Sequence, residues 1–309
     1  MSRVAVLTVT HDSAAVVDAY CAGIAALRAS TTHAIECVVV DQASCDDTVA
    51  RATGVTVVRN ATNSGFARGC IDAVAALREP ADHLLFLNPD VVLTGPALAE
   101  LVDALDHDAT LAAVTPRLRG ADGALRVPAR PAYRRSDAWS FATGSRRLRQ
   151  QRIDASANSG GIVRLRDAYA EGSCLLVRRS AYDAVGGFDP RFFVYFEDAD
   201  LCRRLVEAGG ELAVIPTAIA DESATKGSRA SRDAAPQAED LARYLLYLDA
   251  EVTYFAKWYG AEFARFAAWL RRTCGLRLQR GRLIRRFGSM AAIDACAERL
   301  RSASIRLSR

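Results

Sequence analysis

Four short stretches of this chain place carboxylates where a ligand could meet them. Asp41 follows the apolar run Cys37–Val40 and precedes Ser44-Cys45-Asp46-Asp47, which puts it at the carboxyl edge of a strand, where open α/β sheets bind ligands. It could accept a hydrogen bond from a base or ribose; equally, Ser44 and Asp47 could form a capping box and leave Asp41 to support the turn. Leu87-Asn88-Pro89-Asp90 ends another apolar run, and the proline forces the chain out of the sheet, projecting Asp90 into a cleft. One carboxylate joined by diphosphate oxygens and water suits Mg2+ or Mn2+, which are seldom caged wholly by protein; the plain alternative is a turn aspartate. Asn63-Ser64-Gly65-Phe66 opens a helix-like stretch and offers backbone N–H groups at a helix N-terminus, a place for a nucleotide or an ordinary turn.

The fourth stretch runs from Tyr195-Phe196-Glu197-Asp198 to Leu205. Asp198 shares a helical face with Leu201, Cys202 and Leu205, at offsets of three, four and seven, so it points to the apolar side. Asp200 meets Arg203 and Arg204 at three and four and reads as a surface ion-pair partner. An acid on the buried stripe of a helix start is either a structural charge favoured by the dipole or a reactive group held in a cleft. Glu197 is the neighbouring candidate.

The elements that must carry these residues follow a βαβα rhythm. Apolar runs at Val4–Val9, Cys37–Val40, Val55–Val58 and Leu84–Leu87 alternate with helix-like stretches around 13–28, 46–52, 66–78 and 95–107, the pattern of a mostly parallel, covered sheet. A dinucleotide fold would need G-x-G-x-x-G after the first strand; Thr10-His11-Asp12-Ser13 stands there instead. Cys174–Val177 and Leu212–Ile215 read as further strands around a helix from about Glu197 to Ala208, ended by Gly209-Gly210. The aperiodic segment 144–170 and the segment Lys226–Pro236 read as loops, and a long helical region with aromatics at helical spacing follows.

The apolar half of the composition is enough for a large core. Eight cysteines without a CxxC pair read as buried thiols in a reducing compartment, and the N-terminal apolar run is too short for a signal peptide or membrane span, so cytoplasmic residence is expected. Residues 257–309 carry thirteen Lys/Arg and three Asp/Glu, a net of +10 that leaves −6 for the rest. Nucleic acid and an anionic membrane leaflet both fit that footprint. With no reader motif and aromatics at helical rather than stacking positions, no nucleic acid is expected. Phe263, Phe266, Trp269 and Leu270 would fall on one side of a helix, followed by seven arginines from Arg271 to Arg286, which suggests either reversible membrane contact or aromatics packed on the preceding domain with only the arginines exposed.

In order and spacing, these pieces resemble the family 2 glycosyltransferases of the GT-A fold, and within them rhamnosyltransferase-like enzymes of polysaccharide or O-antigen assembly. The carriers are Val39-Val40-Asp41, Asn63-Ser64-Gly65-Phe66, Leu87-Asn88-Pro89-Asp90, Gly172-Ser173-Cys174, Gly186-Gly187-Phe188-Asp189 and Tyr195-Phe196-Glu197-Asp198-Ala199-Asp200-Leu201. The resemblance implies a Rossmann-like, mixed, mostly parallel α/β sheet flanked by helices over residues 1–230, with a basic, amphipathic helical region over 231–309. It implies an inverting transfer from a nucleotide-diphosphate sugar, dTDP-rhamnose or similar, to a saccharide acceptor, lipid-linked and met at the inner face of the membrane. Thr10 and Asp41 would contact base and ribose, with Asn63, Gly65 and Asn88 completing the donor site; Asp90 would hold Mg2+ or Mn2+, and Asp198 would be the base. Two departures stand out. Gln42-Ala43 replaces the usual Asn-Gly, and Asp221-Glu222 replaces a His-His pair, making Asp221 a candidate metal ligand. A nucleotide-sugar-binding relative without catalysis and a transferase acting on a soluble acceptor are the alternatives.

Overall fold

The structure, a computed structural model, describes residues 1–140, 145–156, 161–223 and 237–307. Its first four long strands are β1 (Arg3–Thr10), β2 (Ala34–Gln42), β3 (Thr56–Asn60) and β4 (His83–Leu87), followed by β5 (Val91–Leu93), β6 (Leu111–Arg119), β7 (Leu125–Arg126) and β8 (Ala129–Pro131). β9 (Val163–Arg164), β10 (Ala168–Ala170), β11 (Cys174–Arg178) and β12 (Glu211–Glu222) complete them. The main sheet has the order β3-β2-β1-β4-β11-β6-β12-β5. β3 to β4 run parallel, β11 enters antiparallel between β4 and β6, and β12 returns parallel to β6.

Both faces of this sheet are covered, which is why its strands read as unbroken apolar runs. Val4, Val6, Val39 and Leu85 pack on helices α1 (Val17–Ser30) and α4 (Gly95–His107), while Ala5, Leu7, Val38 and Phe86 belong to the opposite core. Thr94 caps α4 by accepting a hydrogen bond from the Ala97 N–H, with Pro96 in the first turn, a standard start signal. Two short helices belong to the remaining loops, α2 (Thr48–Arg51) and α3 (Phe66–Ala75).

Segment 144–170 departs from the expected loop. It holds helix α5 (Ser145–Ser156) and strands β9 and β10. The periodicity is missing because α5 is fixed by charge: Arg146 and Arg149 both pair with buried Asp137, and the Arg146 guanidinium lies 3.7 Å from the Tyr133 ring centre. The expected loop Lys226–Pro236 lies outside the described residues.

Helices α6 (Arg179–Ala184) and α7 (Glu197–Glu207) lead into β12; α8 (Gln237–Tyr259), α9 (Ala261–Leu270), α10 (Leu276–Leu278), α11 (Arg280–Phe287) and α12 (Met290–Arg306) follow it. These last helices share one core with α3, α7 and the sheet: Ala67, Phe86, Leu201 and Leu205 belong to the same cluster as Leu248, Tyr254, Ala264 and Leu300.

A buried ion-pair network seals that junction and corrects the reading of Asp200 as a surface residue. Asp200 is fully buried. Lys257 on α8 reaches its carboxylate at 2.6 Å and that of Asp189 at 2.7 Å, Arg204 approaches Asp200 at 2.8 Å, and the Trp258 indole donates to it at 3.0 Å. Against the upward push of burial, hydrogen bonds from Arg191 and Lys257 hold the Asp189 carboxyl below its ordinary range. Arg203 turns away to Glu207 and stacks on Trp258. Spacing within α7 could not show this, because the covering side chains lie more than fifty residues further on. Breaking one partner of a buried pair costs about 3–5 kcal/mol. Lys257→Met should therefore lower stability by about 3 kcal/mol in urea denaturation, whereas Lys257→Arg should keep most of it.

Candidate active site

Two adjoining recesses open where β1, β4 and β12 end. The smaller, about 240 Å3, is lined by His11, Asp12, Ser13, Asn88, Asp90 and Glu222 among others. The larger, about 860 Å3, shares His11, Asp12, Asn88 and Glu222 and extends over Phe66, Tyr133, Tyr169, Gly172, Glu197, Asp198 and Tyr247. Asp90 reaches this place through topology. After the Asn88-Pro89 turn, β5 crosses to the far edge and pairs with the end of β12, placing Val91 opposite Glu222, and the Ser223 N–H donates to the Asp90 carbonyl at 2.9 Å.

Alternation along β12 separates the two acids that follow the last strand. Asp221 points outward to Arg119, at 2.6 Å, half exposed. Glu222 faces the cleft, where Arg126 holds it at 2.7 Å. The expectation that Asp221 stands beside the metal site is therefore corrected: Glu222 shares the recess with Asp90. Both acids are visible in the sequence, but choosing between them requires the register of β12.

Thr10 and Asp41 lie under the floor of the recess. Both are buried; the Thr10 hydroxyl donates to Asp41 at 3.1 Å, and Ser44 donates to Asp41 through its N–H at 2.9 Å and through its hydroxyl. This is the turn-supporting role, achieved without the capping box, since Asp47 makes no side-chain cap bond. Its effect is to shape the adjoining loop, where Asp12 accepts from the Cys45 N–H at 2.8 Å.

Asn63 and Gly65 are also absent from the lining of both recesses, and instead lock another loop. Asn63 accepts from the Gly65 N–H at 3.0 Å, Gln42 accepts from the Ser64 N–H at 2.9 Å, and the Phe66 N–H donates to the Phe193 carbonyl at 2.6 Å. Gly65 has φ 91°, and a Cβ there would sit 2.2 Å from the Phe193 oxygen. The locked loop carries Tyr195 and Phe196 with φ of 71° and 67°, consecutive left-handed aromatics of a kind that persists only where surroundings enforce it. Phe196 is enforced by rings of Tyr133, Tyr247 and Tyr254 at 4.4–5.4 Å.

That strained entry delivers Glu197 and Asp198 at the start of α7. Asp198 is half-buried at the cleft floor and accepts from the Gly172 N–H at 3.1 Å and from the Ala199 N–H at 2.7 Å. Burial outweighs these bonds and pushes its carboxyl up to about 6. Glu197 is buried with one carboxylate oxygen lacking a partner among the described residues; burial, then the charge of Asp198, raises it far above the ordinary range. Nearby, Glu171 joins Arg126 and Arg130. Despite burial, these guanidiniums hold it below the usual carboxylate range. Sequence reasoning missed Arg126, Glu171 and the tyrosine floor, because single arginines and tyrosines carry no pattern until the fold gathers them.

Residues 2–236 match the model of the family described as glycosyltransferase like family 2. The chain belongs to glycosyltransferase family 2. It is similar to N-acetylglucosaminyl-diphospho-decaprenol L-rhamnosyltransferase of Mycobacterium tuberculosis, 31% identical over 217 residues that span 63% of this chain and 68% of that protein. It is also similar to rhamnosyltransferase WbbL of Escherichia coli, 31% identical over 159 residues, 49% of this chain and 58% of that one. Among solved structures, mannosyltransferase PcManGT from Pyrobaculum calidifontis, in complex with GDP-Man and Mn2+, aligns over 99% of this chain and 87% of its own at 17% identity and TM-score 0.51. GalNAc-T7 with UDP, GalNAc and Mn2+ aligns over 91% and 58% at 15% identity and TM-score 0.55. The glycosyltransferase thus has the GT-A fold.

Gly65→Ala in this glycosyltransferase meets both a left-handed backbone and a carbonyl oxygen. It should cost more than about 1 kcal/mol in thermal or chemical unfolding, and should reduce turnover beyond what the folded fraction explains, since the displaced loop carries Glu197 and Asp198.

Proposed function

We propose that this glycosyltransferase transfers a rhamnose-like sugar from dTDP-rhamnose or a similar nucleotide-diphosphate sugar to a lipid-linked saccharide at the inner face of the membrane, inverting the anomeric centre. The observation that carries the reading is Asp198: a half-buried carboxylate on the cleft floor, fixed by the Gly172 N–H and pushed up to about 6. A base working near neutral pH needs such tuning. The acceptor hydroxyl gives its proton to Asp198 as its oxygen attacks the anomeric carbon, and the bond to the nucleoside diphosphate breaks on the opposite side. One displacement with one base inverts the centre. Burial, then the charge of Asp198, pushes the neighbouring Glu197 carboxyl well above its ordinary range. The names of the two rhamnosyltransferase relatives support the sugar, and the first supports the lipid-linked acceptor.

The diphosphate belongs in the smaller recess. Asp90 and Glu222 supply hard oxygen donors there, an acceptable start for Mg2+ or Mn2+ completed by phosphate oxygens and water, although no group of three ligating side chains occurs among the described residues. When bound, such an ion supplies Lewis-acid neutralisation of the leaving diphosphate.

Asp198→Asn should keep donor binding and lower transfer at least about a hundredfold, measured by nucleoside diphosphate release in the presence of acceptor. Near-normal turnover would move the role to Glu197. In the parent protein kcat should fall as pH drops through about 6, because protonation removes the base, with a limiting slope of about tenfold per pH unit.

Calorimetry should show that Mg2+ or Mn2+ strengthens donor binding, that Asp90→Ala abolishes this cation dependence, and that Asp221→Ala retains it. Equal donor affinity with and without cation in the parent would remove the metal from the reading.

A further inference from the structure

We infer that Trp139, Phe266, Trp269 and Leu278 form the face on which this protein rests against an anionic lipid bilayer. The inference rests on the membrane-held acceptor proposed above and assigns the surface that reaches it. Its starting point is an inverted helix. In α9 the core side is made of Ala264, Ala267, Ala268 and Leu270, while Phe266 and Trp269 are 43% and 50% exposed. An ordinary surface helix buries its largest apolar side chains.

Phe263 and Leu270, expected on the same side, divide from this pair. Phe263 packs on Phe255 and Tyr259, and Leu270 is buried. A different element takes their place. Trp139, 48% exposed at the end of the 3-10 turn Arg135–Trp139, stands 6.1 Å from Phe266, which stacks on Trp269 at the same distance. Beyond the turn Arg271–Gly275, Leu278 is 67% exposed.

The charge around this face is mostly positive, with exposed Glu262 in the first turn of α9 as an acid on the same side as Phe266 and Trp269. Residues 263–293 contain eight arginines and no Asp or Glu. Arg271 pairs with Glu251, Arg286 with Asp240, and Arg265 donates to the Leu307 carbonyl. Arg272, Arg277, Arg280, Arg282 and Arg285 have no acidic partner among the described residues, and all but half-buried Arg272 are exposed. Arg135 adds a cation over the Phe263 ring. Indole and phenyl rings beside guanidiniums suit the headgroup level of a membrane, rings toward the acyl chains and arginines on the phosphates. A second copy would set arginines against arginines. A nucleic acid would satisfy the charge but give exposed Leu278 nothing to stack on. No helix among the described residues is long and apolar enough to cross a membrane, so the contact is reversible.

The test is flotation of the full chain with phosphatidylcholine vesicles and with vesicles containing phosphatidylglycerol, at low and high salt. The parent should float with the anionic vesicles at low salt. Trp139→Ser/Phe266→Ser/Trp269→Ser should lower partitioning about tenfold or more. Arg277→Glu/Arg280→Glu/Arg282→Glu should lower it by at least about fivefold per charge removed. Both variants should keep the parent's melting temperature and its donor turnover with a water-soluble acceptor. Parent and variants floating alike would overturn the assigned face while leaving a membrane location standing. A parent that stays in solution with anionic vesicles would overturn the inference, and transfer to the soluble acceptor would still report on the proposed reaction separately. Loss of oligonucleotide binding or of self-association in the same variants, with vesicle binding unchanged, would replace the bilayer by that partner.

Discussion

Lys257 shares its ammonium between Asp189 and Asp200, and the placement of the loop that carries Glu197 and Asp198 depends on that contact. Asp189 and Asp200 bracket the loop that turns through Phe193, Tyr195 and Phe196 to present Glu197 and Asp198. Without the cation, two carboxylates would face each other across a dry junction, with Arg191 and Arg204 left to divide them. The helical region that looks like an appendage in the sequence is thus part of the support of the loop that carries Glu197 and Asp198. Family matching ends at residue 236, so this support lies in a part of the chain where the family pattern is silent.

The carboxylate at the floor of the cleft gains its properties from the same constraint. Left-handed Tyr195 and Phe196 are costly conformations, held by a tyrosine cluster drawn from β8–β10 and α8. The loop is also pinned from the other side, where the Phe66 N–H reaches the Phe193 carbonyl. Rigid placement keeps Asp198 on the Gly172 N–H and keeps Glu197 buried, and burial pushes both carboxyls up, Asp198 to about 6 and Glu197 well above its ordinary range.

Much of this was legible in the sequence because strands buried on both faces write themselves as apolar runs, and because short signatures mark their carboxyl ends. A proline turn placed Asp90 at a cleft, while helical offsets placed Asp198 only on the apolar side of its helix, as a structural charge or a reactive group. The failures share a cause. Asp200 looked exposed because its partners arrive from α8; Asp221 and Glu222 could not be told apart without the register of β12; α5 stayed hidden because arginines on one buried acid leave no periodic trace. Asn63 and Gly65 were read as a nucleotide seat or an ordinary turn; what the turn holds is a distant backbone carbonyl, that of Phe193, which no local pattern announces.

The pairing of β5 with the end of β12 has a consequence for how the molecule assembles. Val91 must find Glu222 across well over a hundred residues of chain, and β11 must insert between β4 and β6 before the sheet can extend to them. Non-local pairings of this kind close late, since loop entropy is lost before contacts reward it. A nascent chain can build β1 to β4 and their helices while Asp90 still hangs at an unfinished edge. The recess that Asp90 and Glu222 share is complete only once that pairing has closed.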